Sequence, residues 1–127
     1  MNRPLIDIYI CFDMITFKPL FWRGDSLHRV RELAPEVQNC IGFELWKVQQ
    51  GNEPSDWKPM SIVGSGVNEL RIHTEGESRV LYVAKFATGV YVLHVFGKKT
   101  QQTQKHDIDL ATKRYRELAF AMRKTHS

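Results

Sequence analysis

At 127 residues, 43% hydrophobic and 25% charged, the chain has the size and balance of one folded domain, which excludes a wholly disordered polymer. Its formal net charge of +4 is unevenly placed: residues 1–96 carry ten Lys/Arg against eleven Asp/Glu, and residues 97–127 eight against three. The whole basic excess therefore sits in the last quarter, which suits a polyanionic partner such as nucleic acid and equally a solvated basic helix.

Residues 5–12 (LIDIYICF) are apolar, but the run is short and holds Asp7. A signal peptide needs a cleaner apolar run behind a basic leader, and a membrane span needs about 20 apolar residues. The expectation is a soluble, cytoplasmic protein with no membrane partner. Residues 1–13 read either as a leader ahead of a start at Met14 or as an extra strand, and residues 14–127 as the domain itself. Cys11 and Cys40 lack C-x-x-C spacing and fit lone thiols in a reducing compartment.

Residues 15–22 (ITFKPLFW) are β-branched and aromatic, a strand that Pro19 marks as an edge or a bulge. Gly24-Asp25-Ser26 supplies a turn and an N-cap. Leu27, Val30 and Leu33 give a short helix, and Pro35 suits the first position of a second. Val37, Cys40, Ile41, Phe43, Leu45 and Val48 carry that helix toward Gly51, so the two pieces form a helical hairpin. Residues 51–59 (GNEPSDWKP) read as a polar loop.

Three strand-like runs follow. Residues 67–73 alternate Val67, Glu69, Arg71 and His73 against Asn68, Leu70 and Ile72. Residues 79–87 are mainly β-branched and aromatic, and residues 89–96 are nearly all apolar, as in a strand buried on both faces. Residues 74–78 and Thr88-Gly89 are hairpin connections. Residues 105–124 form a last helix, with Ile108, Ala111, Tyr115, Leu118, Ala119 and Met122 in one stripe. The predicted fold is α+β: one small antiparallel sheet, an N-terminal helical hairpin and a C-terminal helix.

The chain has no Gly-rich phosphate loop, H-E-x-x-H, G-x-S-x-G or His/Cys array, so neither a metal nor another cofactor is expected. The strands offer cations instead. Arg71, Arg79, Lys98 and Lys99 lie at strand ends, with Tyr82 and His94 along two of the strands. Cleavage of RNA by its own 2′-hydroxyl needs a base, an acid for the leaving oxygen, and positive charge on the phosphorane. Arg and Lys supply the charge, and His or Tyr the proton transfer. Each residue also has a plainer role. Arg71 and Arg79 would pair with Glu69, Glu75 or Glu77 across the hairpin, His94 would be a core histidine, and His73 would be exposed beside an acidic turn. Lys98 and Lys99 would protect an edge, and Trp22, Trp46 and Trp57 would anchor core or loops.

Four elements in order narrow these alternatives: Glu69-Leu70-Arg71, Arg79-Val80-Leu81-Tyr82, the run Leu93-His94-Val95-Phe96-Gly97-Lys98-Lys99-Thr100, and the helix start Ile108-Asp109-Leu110-Ala111 with Arg114. Residues 61–118 thereby resemble the phage-derived-protein group of the RelE/ParE toxin superfamily, which includes HigB toxins. The resemblance implies a RelE-like α+β fold. It also implies a toxin of a type II toxin–antitoxin system: a ribosome-associated, metal-independent mRNA endonuclease that inhibits translation. Its partners would be mRNA, the ribosome and a cognate antitoxin, often of the helix-turn-helix type. Carried over by position, Arg71, Arg79 and Lys99 would be the cationic cleavage residues, with Tyr82 and His94 at motif positions. Lys98, Lys105 and Arg114 would contact RNA. One departure is Thr103-Gln104-Lys105 where the group commonly has Thr-Pro-Lys. The superfamily also holds gyrase-directed toxins without nuclease activity, so a non-nuclease toxin, a nucleic-acid-binding module or a phage accessory protein stands as the alternative.

Overall fold

The computed structural model describes residues 17–99 and 102–126. In chain order it has β1 (Leu20–Trp22), α1 (Ser26–Arg31), α2 (Pro35–Gln49), β2 (Trp57–Pro59), β3 (Val67–Ile72), β4 (Ser78–Val83), β5 (Val90–Gly97) and α3 (Lys105–His126). The five strands form one sheet in the order β1-β5-β4-β3-β2. The expected extension, residues 1–13, and the first residues of the strand read over 15–22 lie outside the described residues.

The sheet is mixed, which corrects the purely antiparallel expectation. β1 runs parallel to β5, while β2–β3, β3–β4 and β4–β5 are antiparallel. A parallel neighbour needs a long crossover, and two helices and three strands lie between β1 and β5. Pro19 sits just before this edge strand, where its missing N–H costs no ladder bond, and its carbonyl accepts from Val90 N–H. A second correction is β2, a three-residue edge strand inside the segment read as a loop. A third is the end of β4 at Val83, because a turn closed by Gly89 N–H to Phe86 O already leads back into β5.

Apolar side chains fill both faces of the sheet, as the β5 composition requires. On one face Val30 of α1 and Val37, Ile41, Leu45 and Val48 of α2 pack with Leu70, Ile72, Val80, Tyr82, Val90, Val92 and Val95. On the other, Ala111 and Leu118 of α3 pack with Met60, Val63, Val67, Leu81, Val83, Tyr91, Leu93 and Phe96, and Ile108, Tyr115 and Met122 fill the margin. Pro35 starts α2 at a position where a missing N–H is harmless. Asp25 occupies the N-cap position of α1, but its side chain bonds Arg29 and Arg114 rather than the helix backbone.

A bulge in β5 decides what faces α3. Leu81 pairs with His94 and Tyr82 with Val92, so Leu93 is an extra residue. Leu93 and His94 therefore both turn toward α3. The Leu93 carbonyl accepts from Arg114 Nη1 at 2.8 Å, and Arg114 Nη2 reaches Asp25 Oδ1 at 2.9 Å. Gly24, with φ +56°, makes room for this clamp: a Cβ there would lie 2.4 Å from Arg114 Cζ.

Candidate nucleic-acid interface

Strand parity puts Glu69 and Arg71 of β3, Arg79 of β4 and Phe96 of β5 on the α3 face, near one end of the sheet. The register sets Arg71 opposite Arg79, Arg79 opposite Phe96, and Lys58 of β2 opposite Glu69. Lys98 follows β5 and donates its backbone N–H to Glu77 O, which carries it back over the same end. Four cations from four strands or their exits thus surround Glu69.

Glu69 is fully buried. Its Oε2 accepts a hydrogen bond from Thr103 Oγ1 at 2.8 Å, and its Oε1 lies 3.8 Å from Nε of both Arg71 and Arg79. Arg79 is nearly enclosed, its side chain 7% exposed, and donates from Nη1 to Glu77 Oε1 at 2.8 Å and to Ser78 O. Arg71 is more open at 32% and has Asp56 Oδ1 at 3.8 Å. Lys98 is largely buried; desolvation lowers its pKa, Glu69 opposes that, and Arg79, Lys58 and Arg71 reinforce it.

His73 closes the acidic rim, with Nε2 at 2.5 Å from Asp56 Oδ2 and Nδ1 at 2.8 Å from Glu77 Oε2. Hydrogen bonds to Asp56, then Glu77, raise its pKa against a small desolvation effect. The same two carboxylates touch Arg71 and Arg79, so rim and cations form one connected network.

Of the residues expected at the site, the structure brings together Arg71, Arg79 and Lys98. Lys99 is exposed at the exit of β5. Lys105 is exposed at the start of α3, where its Nζ bonds Asp109 Oδ2 at 2.8 Å, which raises its pKa. Tyr82 lies three residues from Arg79, hence on the opposite face, in the cluster under α1 and α2. Burial, partly offset by a hydrogen bond with Asn68, pushes its phenol up to about 12. His94 is fully buried; Nε2–H donates to Asp107 Oδ1 at 2.7 Å, and the ring stacks on Phe96. Desolvation lowers its pKa despite Asp107. Arg114 serves as the clamp on the bulge described above.

Sequence reasoning missed Lys58, Thr103 and the central place of Glu69. Lys58 was hidden in the segment read as a loop. Glu69 was visible as an odd-numbered partner of Arg71, and parity alone would have placed it between the arginines.

Among the described residues no group of three or more His, Cys, Asp or Glu is placed to hold a metal ion, and no helix is long and apolar enough to cross a membrane. The fold and its cation-lined sheet end define a small α+β domain with helices on both faces of a mixed sheet, consistent with a RelE-like fold. Residues 28–116 match the family described as phage-derived protein Gp49-like (DUF891), and the chain belongs to that family. The family is of the RelE/ParE-like toxin type, and its members are often toxins of toxin–antitoxin systems. No curated protein matches the chain.

Proposed function

We propose that this chain is the toxin of a type II toxin–antitoxin pair, a HigB-like, cytoplasmic endonuclease that cuts mRNA on the ribosome without a resident metal. The observation that carries the reading is the meeting of Lys58, Arg71, Arg79 and Lys98 at one sheet end. In the step proposed, the 2′-oxygen of one nucleotide attacks the adjacent phosphorus. The O2′–P bond forms, the P–O5′ bond breaks, and the products are a 2′,3′-cyclic phosphate and a 5′-hydroxyl. Arg71 and Arg79 stabilise charge on the phosphorane. Lys98, whose pKa is lowered by burial, takes the proton from the 2′-hydroxyl, and the exposed Lys99 protonates the leaving 5′-oxygen. An antitoxin, often of the helix-turn-helix type, would silence the chain by covering this end.

A second reading, a non-nuclease toxin or nucleic-acid-binding module of the same fold, is favoured by the positions of Tyr82 and His94. Both lie buried away from the arginines. Inducible expression with mapping of transcript 5′ ends, beside the Arg79→Ala variant, separates the two. The nuclease reading expects cuts within translated messages that vanish in the variant. Growth arrest with intact transcripts supports the second reading.

A further inference from the structure

Glu69 sits among the arginines yet hydrogen-bonds neither. Its Oε1 faces Nε of Arg71 and Nε of Arg79 at 3.8 Å each, and all three atoms are buried without a hydrogen-bond partner. At that separation the attraction is coulombic only. The carboxylate holds both guanidinium groups by charge and takes no hydrogen bond from either, while Arg79 Nη1 is spent on Glu77 and Ser78 O. Arg71 and Arg79 stand directly opposite across the ladder, an arrangement that repels unless a counter-charge lies between them. Through Oε2 the same carboxylate holds Thr103, in the connection between β5 and α3 that begins with Lys98 and Lys99.

We propose that Glu69 is a positioning residue of the cationic site: it sets Arg71 and Arg79 side by side and, through Thr103, anchors the approach to α3 beside them. The consequence for cleavage rests on the RNA-cutting reading above; the consequence for arginine geometry does not. Its charge and its geometry act in opposite directions on RNA. A buried negative charge weakens attraction for a polyanion, while a fixed arginine pair sharpens transition-state placement. Loss of the charge alone therefore separates binding from catalysis.

Glu69→Gln keeps the shape and the acceptor for Thr103 and removes the charge. RNA binding is expected to hold or tighten, while cleavage falls by about tenfold or more. Glu69→Asp keeps the charge one methylene short and is expected to restore part of the rate. Thr103→Val frees only the connection, so cleavage drops while the arginine pair stays in place.

The test compares these variants with the parent chain and Arg79→Ala. Binding is read with a short fluorescein-labelled single-stranded RNA, cleavage with ribosomes translating a defined message, and geometry from the NMR signals of the arginine Nε–H groups. The expected result is slow exchange of the Arg71 and Arg79 Nε–H protons in the parent, loss of that protection in Glu69→Gln, and recovery in Glu69→Asp. Unchanged arginine signals in folded Glu69→Gln would overturn the proposal. So would a parallel loss of binding and cleavage that merely tracks thermal stability. Should Glu69→Gln fold poorly, the Glu69→Asp signals carry the decision, and arginines displaced as far as in an unfolded control sink the idea. A parent chain that cuts no message defeats the RNA-cutting reading, and the arginine signals still decide the role of Glu69.

Discussion

Arg71 stands directly opposite Arg79 across the β3–β4 ladder, and Glu69 Oε1 is equidistant from the two, 3.8 Å from each Nε. Two guanidinium groups so placed put two planar, forked cations at one sheet end, where lysines would be point charges. Arg71 is the more open of the two, and Arg79 has Nη1 committed to Glu77 and Ser78 O. Arg79→Lys keeps the counter-charge for buried Glu69 and loses the fork. The expected outcome is stability within about 1 kcal/mol of the parent and, on the proposed RNA-cutting reading, message cleavage lowered by about tenfold or more. Arg79→Ala strips buried Glu69 of one of its cations, leaving Arg71 at 3.8 Å, and should cost about 2 kcal/mol as well. Urea unfolding beside a cleavage assay checks both, and equal stability losses in the two variants would refute the charge argument.

Tyr82 lies on the far face of the sheet from Arg79, its hydroxyl held by Asn68. Tyr82→Phe is therefore expected to leave the proposed cleavage and toxicity unchanged and to cost about 1 kcal/mol for the lost hydrogen bond. The phenol is pushed up to about 12 by burial. A pKa raised on folding gives stability that is full below the ordinary value near 10 and is lost as pH climbs through the folded value. Ultraviolet titration of the phenolate should show one tyrosine ionising late, and that late step should be missing from Tyr82→Phe. A variant that keeps its fold and loses cleavage would bring Tyr82 back into the site.

Arg114 was carried over from the family as an RNA contact, but its donors are committed to Leu93 O and Asp25 Oδ1. At Asp25, desolvation is outweighed by the hydrogen bonds from Arg114 and Arg29, and its pKa is lowered. Arg114→Ala strands the carbonyl exposed by the β5 bulge and should cost about 2 kcal/mol, lowering Tm by several degrees. Gly24→Ala should act in the same direction, since its Cβ would collide with the guanidinium. RNA binding by both variants, measured well below Tm, is expected to match the parent. A selective loss of binding in Arg114→Ala at unchanged Tm would restore the role the resemblance assigned.

Much of this arrangement was legible in the residues. Pro35 and the stripe from Val37 to Val48 fixed α2, the apolar run of β5 announced a strand covered on both faces, and period-two alternation placed Glu69 and Arg71 together. The same parity applied to β4 separates Tyr82 from Arg79, although the sequence reading grouped the two. β2 was hidden because three residues between Asp56 and Met60, ending in Pro59, carry too little pattern to be told from a loop. The parallel pairing of β1 was hidden because edge order depends on the whole crossover. His94 was hardest, since a single inserted residue, Leu93, turned it toward Asp107. No local propensity encodes that bulge; it is supported by Arg114, 21 residues away in sequence.

His94 and His73 should oppose each other in the pH dependence of stability. His94 has a lowered pKa from desolvation, so the unfolded chain binds its proton more tightly, and stability is full above pH 6.5 and falls below it. His73 has a raised pKa from its bonds to Asp56 and Glu77, so its contribution is full below pH 6.5 and is lost as pH rises through the folded value. Asp25, Glu44 and Glu77 have lowered pKa values, and their contributions are already complete above the ordinary carboxylate range. Because His73 is half exposed and His94 fully buried, the His94 effect dominates, and the parent should gain stability gently from pH 5.5 to 7.5. His73→Gln removes the opposing effect and should steepen that gain. His94→Gln, which still offers an N–H to Asp107, should reverse its sign. Urea midpoints at pH 5.5, 6.5 and 7.5 for the three proteins read this directly. A His73→Gln slope equal to the parent's would show that the Asp56–His73–Glu77 contact is not held in solution, and a flat or falling one would refute the His94 effect.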